Sequence, residues 1–297
     1  MNSDFCIRSE RFYTSFAFCA EVDCPKNIIS KESGMQRITS KENKKIKLLS
    51  KLLTSQKERS ESGLFVLEGL RLVEDGIRSG AKIKEVYMVE SFLPKFNERL
   101  EGIVNEECEL YIIDDFILPK ITDTKTPQGV VALFEGSIYV EELPQDMSCG
   151  SLLLSNLQDP GNLGTIVRSA AAFDLSAVII TGSCPSLTSP KVLRASMGGV
   201  FKLPIVRFAD DFEALRALKE RNIPVYAAFL DNEAKDADTL SLKGACVAIG
   251  NEGNGLAKDF AGACDEKIII PISENTESLN ASIAGSIFAW EIKRAGN

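Results

Sequence analysis

The sequence predicts an α/β protein with a C-terminal parallel-sheet domain and a smaller N-terminal α/β domain. Its 297 residues are 44% hydrophobic and 26% charged, which is ordinary for a globular chain of one or two domains. In residues 151–297, short apolar runs alternate with helical stretches, a pattern typical of parallel strands covered on both faces. Six such strands are expected, at residues 152–154, 177–180, 204–206, 225–228, 246–249 and 268–270.

The chain before residue 151 divides into three segments. Residues 1–35 show no apolar periodicity and are expected to form a poorly ordered extension. Residues 36–137 are expected to fold as one domain, because strand-like and helical patterns alternate there as well. Residues 138–150, which include Pro144, are expected to be a linker. The N-terminal elements are expected to be a basic helix capped by Ser40, strands at 64–67, 83–89, 110–113 and 129–134, and a helix at 70–79.

The chain contains no histidine, which excludes Ser-His-Asp and Cys-His mechanisms and any metal site built on imidazole. Its eight cysteines form no C-x-x-C pair, so neither a structural zinc site nor a disulfide framework is expected. No apolar run is long enough to span a membrane, and no signal peptide pattern is present. We therefore expect a soluble cytoplasmic protein without a membrane partner or a metal.

The net charge of −8 argues against a generally basic surface, but the charge is unevenly distributed. Residues 35–62 contain eight basic and three acidic residues, a local charge of +5 that leaves −13 for the remainder. Such a segment can contact phosphate groups, and Lys44, Lys45 and Lys47 are the candidates for that contact. The same pattern is also typical of a solvated helix face.

Three polar segments follow predicted strands, at residues 156–168, 250–255 and 271–280. Ligands of parallel sheets bind beyond the carboxyl ends of the strands, so these segments are the candidate site. The first contains an Asp-Pro-Gly turn, Asn162 as a candidate helix cap, and Arg168 in the helix that follows. The second alternates glycines around Glu252, without the G-x-G-x-x-G spacing of a nicotinamide dinucleotide site.

The third segment leads from a strand through Pro271 to a helix. Ser278 is expected to cap that helix, with Asn280 beside the free N–H groups of its first turn. The small residues that follow allow another backbone to approach closely. Taken alone, this pattern also fits an ordinary strand-loop-helix corner without a ligand.

Taken together and in this order, the three segments closely resemble the sequence motifs of the SpoU-type (TrmH) RNA ribose 2′-O-methyltransferases, a family of the SPOUT superfamily. The resemblance covers residues 151–297 and includes the stretch 188–199. Residues 36–136 resemble the ribosomal-protein-like module that binds substrate RNA in this family. The resemblance implies a deep trefoil knot in the C-terminal domain, S-adenosyl-L-methionine bound mostly through backbone groups, and a homodimer. The dimer is expected to be built partly on the small face of the last helix, at Ala281, Ala284, Gly285 and Phe288.

The family's site residues carry over by position. The cofactor contacts fall on Thr181, Gly182, Gly250, Ile270 and Leu279, and the catalytic group falls on Asn162, Arg168, Glu252, Ser278 and Asn280.

Methyl transfer from a sulfonium requires neither a metal nor an acid, which agrees with the absence of histidine. We expect Arg168 to hold the adjacent phosphate and polarise the hydroxyl, with Glu252 orienting Arg168. Ser278 and Asn280 would fix the loop and the ribose. The alternative is structural, with Asn162 and Ser278 as helix caps and Glu252 as a surface charge. A larger side chain at Gly250 is expected to block cofactor binding with little loss of fold.

The function predicted from these residues is S-adenosyl-L-methionine-dependent methylation of a ribose 2′-OH in structured RNA. Ribosomal RNA is the preferred substrate, because the N-terminal module resembles those of rRNA enzymes. Transfer RNA remains an alternative substrate. A second possibility is an RNA-binding relative without turnover, against which the intact Arg168, Glu252 and Asn280 count. A dinucleotide-dependent dehydrogenase is disfavoured, because the phosphate-binding fingerprint is absent after the first strand.

Overall fold

The computed structural model describes residues 35–231, 233–273, 275–276 and 278–296. The predicted extension at residues 1–35 lies outside this range except for its last residue. The described chain forms two compact units. The first contains residues 35–58 and 64–136, and the second contains residues 59–63 and 137–296.

The first unit is built on a mixed five-stranded sheet in the order β1-β4-β3-β5-β2. Its parallel pairs are β1 with β4 and β3 with β4, while β5 runs antiparallel to β2 and β3. The four strands predicted from sequence are present within two residues, whereas β1 was not predicted because only one of its three side chains is buried. The strands are β1 (Gln36–Ile38), β2 (Leu64–Glu68), β3 (Lys82–Val89), β4 (Glu109–Ile113) and β5 (Val130–Glu135).

Four helices lie between these strands, namely α1 (Lys44–Thr54), α2 (Gln56–Ser62), α3 (Leu70–Arg78) and α4 (Leu93–Arg99). The basic helix α1 buries apolar side chains at helical spacing, at Ile46, Leu49 and Leu52. Its cap is Asn43, whose side chain accepts a hydrogen bond of 2.9 Å from the backbone of Lys45. The prediction of Ser40 as the cap was therefore wrong by three residues.

A polar network joins α1 to the sheet of the first unit. The rings of Tyr87 and Tyr111 stack at 5.0 Å, and their hydroxyls donate to Glu85 and Glu109, respectively. Lys45 Nζ donates to both carboxylates, at 3.0 Å from Glu109. Partial burial acts to lower the pKa of Lys45, but hydrogen bonds with Glu85, Tyr111 and Glu109 outweigh it and raise the pKa. Lys45 is thus engaged inside the protein rather than free for a phosphate.

The second unit is built on a seven-stranded sheet in the order β10-β12-β9-β11-β6-β7-β8, and every neighbouring pair in it is parallel. The six predicted strands are all present, and the predicted parallel sheet is confirmed. The two-residue edge strand β10 was not predicted, because so short a segment shows no periodicity. The strands are β6 (Ser151–Ser155), β7 (Ala177–Thr181), β8 (Ile205–Arg207), β9 (Val225–Ala228), β10 (Lys235–Asp236), β11 (Cys246–Ile249) and β12 (Glu266–Ile269).

Helices cover both faces of this sheet, as its continuous apolar strands require. They are α5 (Pro160–Ala172), α6 (Pro190–Ser196), α7 (Asp211–Glu220), α8 (Lys258–Ala263) and α9 (Ala281–Gly296). Leu153 and Ile179 share a buried cluster with Leu218 of α7 and Phe260 of α8. Helices α5 and α9 pack against each other, and α9 also contacts β6 and β11. No helix among the described residues is long and apolar enough to cross a bilayer.

The predicted linker, residues 138–150, is packed on the second unit. Val140 bridges to the edge strand β8, where its N–H donates to Ile205 O at 3.0 Å. Leu143 and Met147 are buried in the same apolar cluster as the central strands. This stretch is therefore part of the second unit and not a free spacer, because its apolar side chains find buried positions there.

Helix α9 uses its small residues within the chain. Gly285 is buried against α5, where an added Cβ would lie 2.8 Å from a side-chain atom of Ile166. Ser286 and Ser169 are joined by a hydrogen bond of 2.7 Å between their hydroxyls, and Phe288 is 2% exposed. Gly285 and Phe288 are thus buried within the chain, and the close approach that Gly285 permits is to α5.

We predict that Lys45→Met lowers the free energy of unfolding by about 1 kcal/mol, because two carboxylates and two tyrosine hydroxyls lose their shared cation. Lys44→Met is the matched control on the same helix, since Lys44 is exposed, and it should change stability by less than about 0.5 kcal/mol. Urea unfolding followed by circular dichroism measures both. Equal midpoints for the two variants would contradict the structural role of Lys45.

Candidate active site

The three predicted polar segments lie at one edge of the second unit. Because the strands are all parallel, the segments that follow β6, β11 and β12 leave from the same, carboxyl edge of the sheet. We name them loop 1 (156–159), loop 2 (250–256) and loop 3 (270–280). The sequence-based prediction that they share an edge is confirmed by this topology.

Loop 1 ends in the cap of α5. Asp159 is the N-cap residue, and its side chain accepts a hydrogen bond of 3.0 Å from the backbone N–H of Asn162. Asn162 itself is therefore not the cap, which leaves its amide side chain available for other contacts. Lys191 of α6 forms an ion pair of 2.6 Å with Asp159. This hydrogen bond from Lys191, assisted by the N–H of Asn162, holds the pKa of Asp159 below its usual value.

The carboxylate of Glu252 joins loop 2 to loop 1. It accepts hydrogen bonds from the backbone N–H of Gln158 at 2.9 Å and of Asp159 at 3.1 Å. A third comes from the side-chain amide of Asn162, at 2.9 Å. Partial burial acts to raise the pKa of Glu252, but these three bonds outweigh it and keep the pKa below the usual value. Glu252 is thus an ionised bridge at neutral pH and not an unpartnered surface charge.

Loop 2 is closed on itself and on loop 1 by Asn251. The side chain of Asn251 accepts from Gly253 N at 2.7 Å and donates to Asn156 O at 2.9 Å. Its backbone forms an antiparallel bridge with Gly255. Gly250 lies so close to the other arm of the loop that an added Cβ would lie 2.1 Å from Gly255 C. Glycine at position 250 is therefore required by the loop's own backbone.

The two predicted cofactor neighbours after β7 differ in their surroundings. Thr181 is fully buried, and its hydroxyl donates to Asp211, which also accepts from Ser155 at 2.7 Å. Gly182 has a φ of +59°, and an added Cβ would lie 2.2 Å from Asn156 Oδ1. The side chain of Thr181 is thus used within the fold, whereas Gly182 lies directly beside loop 1.

Arg168 is exposed on α5, six residues beyond Asn162. At 1.5 Å per residue this separates the two positions by about 9 Å along the helix axis. In the described part of the chain, the hydrogen bonds of Glu252 go to loop 1 and to Asn162, and none goes to Arg168. The expected orienting contact between Glu252 and Arg168 is therefore not made, because the donors nearest to Glu252 belong to the start of α5.

Loop 3 ends in a cap formed by Asn280. Its side chain accepts hydrogen bonds from the backbone and hydroxyl of Ser282, at 2.8 and 2.6 Å. Ser278 is exposed and lies outside the helix, so its prediction as the cap was wrong by two residues. Ile270 and Leu279 are half-buried. No hydrogen bond among the described residues joins loop 3 to loops 1 and 2, although β12 brings it to the same edge.

Sequence reasoning did not identify Asn156, Asp159 or Asn251. Asp159 carried a usable signal, because Asp directly before Pro is a common pairing of the N-cap with the first helical position. Asn156 adopts a left-handed conformation with φ of 52°, which asparagine tolerates better than most residues. Asn251 bonds to residues two and three positions ahead, a local motif typical of asparagine in turns.

The predicted phosphate contacts in the first unit are only partly available. Lys45 is held by two carboxylates, and Lys47 forms an ion pair of 2.6 Å with Glu42. Lys44 is exposed and takes part in no ion pair with a described residue. Elsewhere in the described ranges, no group of three or more His, Cys, Asp or Glu is arranged to hold a metal ion.

Comparison with known proteins agrees with this geometry. The family model described as SpoU rRNA Methylase family matches residues 151–290, and the model described as MRM3-like substrate binding domain matches residues 43–132. An uncharacterised tRNA/rRNA methyltransferase of Synechocystis sp. is 30% identical over 266 residues, covering 88% of this chain and 95% of the relative. The chain belongs to the SpoU rRNA methylase family.

Other similar proteins span nearly the same length. The 23S rRNA (guanosine(2553)-2′-O)-methyltransferase RlmP of Bacillus subtilis is 29% identical, covering 87% of this chain and 100% of the relative. The crystal structure of an AdoMet-bound rRNA methyltransferase from Sinorhizobium meliloti is 29% identical, with a TM-score of 0.77. The alignment covers 88% of this chain and 98% of that structure. The SpoU-type resemblance inferred from the three loops is therefore confirmed.

We predict that Gly250→Ala lowers the free energy of unfolding by about 1–3 kcal/mol, because the added methyl overlaps the backbone at Gly255. This corrects the expectation that a larger side chain would affect only cofactor binding. Gly253→Ala is the matched control in the same loop, since its nearest neighbour would be Asn251 Oδ1 at 3.4 Å. Urea denaturation measures the stability of both variants. An unchanged denaturation midpoint for Gly250→Ala would contradict the close approach of Gly250 to Gly255.

Proposed function

We propose that this protein transfers the methyl group of S-adenosyl-L-methionine to a ribose 2′-OH in ribosomal RNA. The observation that carries the proposal is the Glu252 bridge, which assembles loops 1 and 2 around Asn162 at the ligand-binding edge of the sheet. The named activity of the B. subtilis relative supports the reaction and the rRNA substrate. Transfer RNA is the second candidate, because the Synechocystis relative is named for both.

The residues at the edge fit the cofactor. Ile272 is 40% exposed beyond β12, and Ile270 and Leu279 of the same loop are half-buried, which provides apolar surface in loop 3. Backbone groups of Gly250, Ile270 and Leu279 would hold S-adenosyl-L-methionine. When bound, it supplies a methyl group on a positively charged sulfur, whose departure needs no metal. The S. meliloti structure, named as AdoMet-bound, supports this choice.

Gly182 lies beside loop 1 and is included in the proposed cofactor site through its backbone. Thr181 is included through its backbone alone, since its hydroxyl is committed to Asp211. This division follows from burial, because a side chain with no exposed surface cannot contact a ligand at the edge.

Two side chains would act on the RNA, and a third would position one of them. Arg168 is exposed and carries a guanidinium group, so it would hold the phosphate next to the target ribose and polarise the hydroxyl. Asn162 donates to Glu252 through Nδ2, which orients its Oδ1 to accept from the ribose. Glu252 positions Asn162 and does not touch the reacting atoms. As the oxygen–methyl bond forms and the methyl–sulfur bond breaks, the hydroxyl proton would pass to solvent water.

Ser278 and Asn280 would support the same site from loop 3. Asn280 fixes the start of α9 through its bonds to Ser282, and Ser278 stays exposed two residues before it. We assign both to holding loop 3 over the ribose. A trefoil knot is part of the proposal and is supported by the path of the chain. After β12, at one side of the sheet, the chain continues into α9, which contacts the central strands β6 and β11 and packs on α5.

The first unit would present the RNA. The match of residues 43–132 to a substrate binding domain supports this role, and exposed Lys44 is its best-placed phosphate contact of the three predicted. We also propose a cytoplasmic location. It is supported by the five free thiols among the described residues and by an RNA substrate.

A homodimer is proposed through the outer side of α9. Ile283 and Trp290 are 51% and 49% exposed and lie seven residues apart, so they share one face of the helix. The ring of Trp290 packs on Phe173 at 5.5 Å, which holds it in place. Two large apolar side chains on a rigid helix are suited to a self-complementary contact with a second copy.

We predict that the double variant Ile283→Glu/Trp290→Glu is a monomer at micromolar concentration, while the wild type is a dimer. The added charges would be buried in the interface, which is strongly unfavourable. Leu230→Glu is the control, because Leu230 is the most exposed apolar side chain described, at 81%, and lies after β9. Sedimentation equilibrium measures the mass of each. A monomeric wild type, or a dimeric double variant, would contradict the proposed interface.

We predict that Arg168→Ala lowers the rate of methyl transfer about 100-fold or more and leaves RNA affinity within a few-fold, because Arg168 acts mainly in the transition state. Arg216→Ala is the matched control, an exposed arginine on α7. The assay follows tritiated methyl incorporation into ribosomal and transfer RNA in parallel, with filter binding of the same RNAs. A wild type that binds RNA without incorporating methyl groups would favour the non-catalytic alternative.

A further inference from the structure

Among the described residues of the first unit, Phe116 carries the one exposed aromatic ring. Phe116 is 51% exposed and lies in a 3₁₀ turn, Asp115–Lys120, that follows β4. The next two residues, Ile117 and Leu118, are 0% and 8% exposed and anchor the turn in the core. The backbone that carries Phe116 is therefore held in place, while most of its ring adds nothing to the apolar core.

One lysine lies over this ring. Lys41 Nζ lies 5.3 Å from the centroid of Phe116, within the range of a cation–π contact. Lys120 is exposed and ends the same 3₁₀ turn that carries Phe116. Glu42, next to Lys41 in sequence, is already paired with Lys47 at 2.6 Å.

We infer that Phe116 is a stacking platform for an unpaired base of the RNA substrate, with Lys41 and Lys120 contacting the phosphates on either side. The inference rests on the proposed function, which supplies an RNA ligand. Proteins recognise single-stranded RNA by stacking bases on exposed aromatic rings and tracking the backbone with cations. A protein partner would meet an apolar patch, whereas this ring is isolated and its flanking side chains are charged.

The location of the ring makes a matched control available. Because β3 and β4 run parallel, Lys82 at the start of β3 lies at the opposite end of the sheet from the turn that follows β4. Lys82 has a side chain that is 59% exposed, so Lys82→Ala removes one surface charge without approaching Phe116. Lys41→Ala removes the same charge beside the ring.

The experiment compares full-length Phe116→Ala, Phe116→Trp, Lys41→Ala and Lys82→Ala with the wild type by fluorescence anisotropy. The probes are oligoadenylate of about 12 nucleotides and a blunt RNA duplex of the same length, each at several salt concentrations. Phe116→Ala should weaken oligoadenylate binding about 5-fold or more with an unchanged salt slope, and Phe116→Trp should retain it. Lys41→Ala should lower the salt slope by about 0.7, and Lys82→Ala should change neither quantity.

Two results would overturn the platform. One is unchanged oligoadenylate affinity in Phe116→Ala, and the other is an equal loss for the duplex, whose bases cannot stack on the ring. With either result, the proposed function would still hold if the wild type binds RNA. A wild type that binds neither probe nor ribosomal RNA would instead remove the proposed function together with the platform. Matching thermal midpoints for the Phe116 variants would show that the fold is intact.

Discussion

The candidate active-site edge depends on one carboxylate. Glu252 receives three N–H groups, two from the backbone of loop 1 and one from the side chain of Asn162. Without that charge, loop 2 would be tied to loop 1 only through Asn251, and the amide of Asn162 would lose its orientation. Charge-assisted hydrogen bonds are shorter and stronger than neutral ones, so a single ionised group can fix loops that are more than ninety residues apart in sequence.

The second constraint on the structure is close packing of the chain, which a glycine makes possible at two places. Gly250 allows the two arms of loop 2 to meet, and Gly285 allows α9 to reach Ile166 of α5. The first contact shapes the proposed cofactor site, while the second brings the chain back from β12 to the middle of the sheet. The small residue Gly285 of the last helix therefore serves the fold of one chain, whereas the larger Ile283 and Trp290 stay exposed.

The lysines of α1 show how similar side chains take different roles. Lys45 is enclosed by Glu85 and Glu109 and supports the packing of α1 on the sheet, whereas Lys44, one residue earlier, points outward. Nearby, Lys41 lies over the exposed ring of Phe116. Residues 35–62 are basic overall, but fewer of their lysines are available to contact a phosphate than the number of charges suggests.

The sequence by itself determined the two-unit α/β organisation, the parallel sheet of the second unit and the order of the three motif loops. These features follow from local patterns, since buried strands are apolar and ligand-binding loops follow their carboxyl ends. Only the tertiary structure decided that Asp159 and Asn280 are the caps, that Glu252 bonds to Asn162 rather than Arg168, and that Lys45 is bound by Glu85 and Glu109. Each of these depends on which partner lies within about 3 Å, and a contact between distant residues leaves no periodic trace in the sequence.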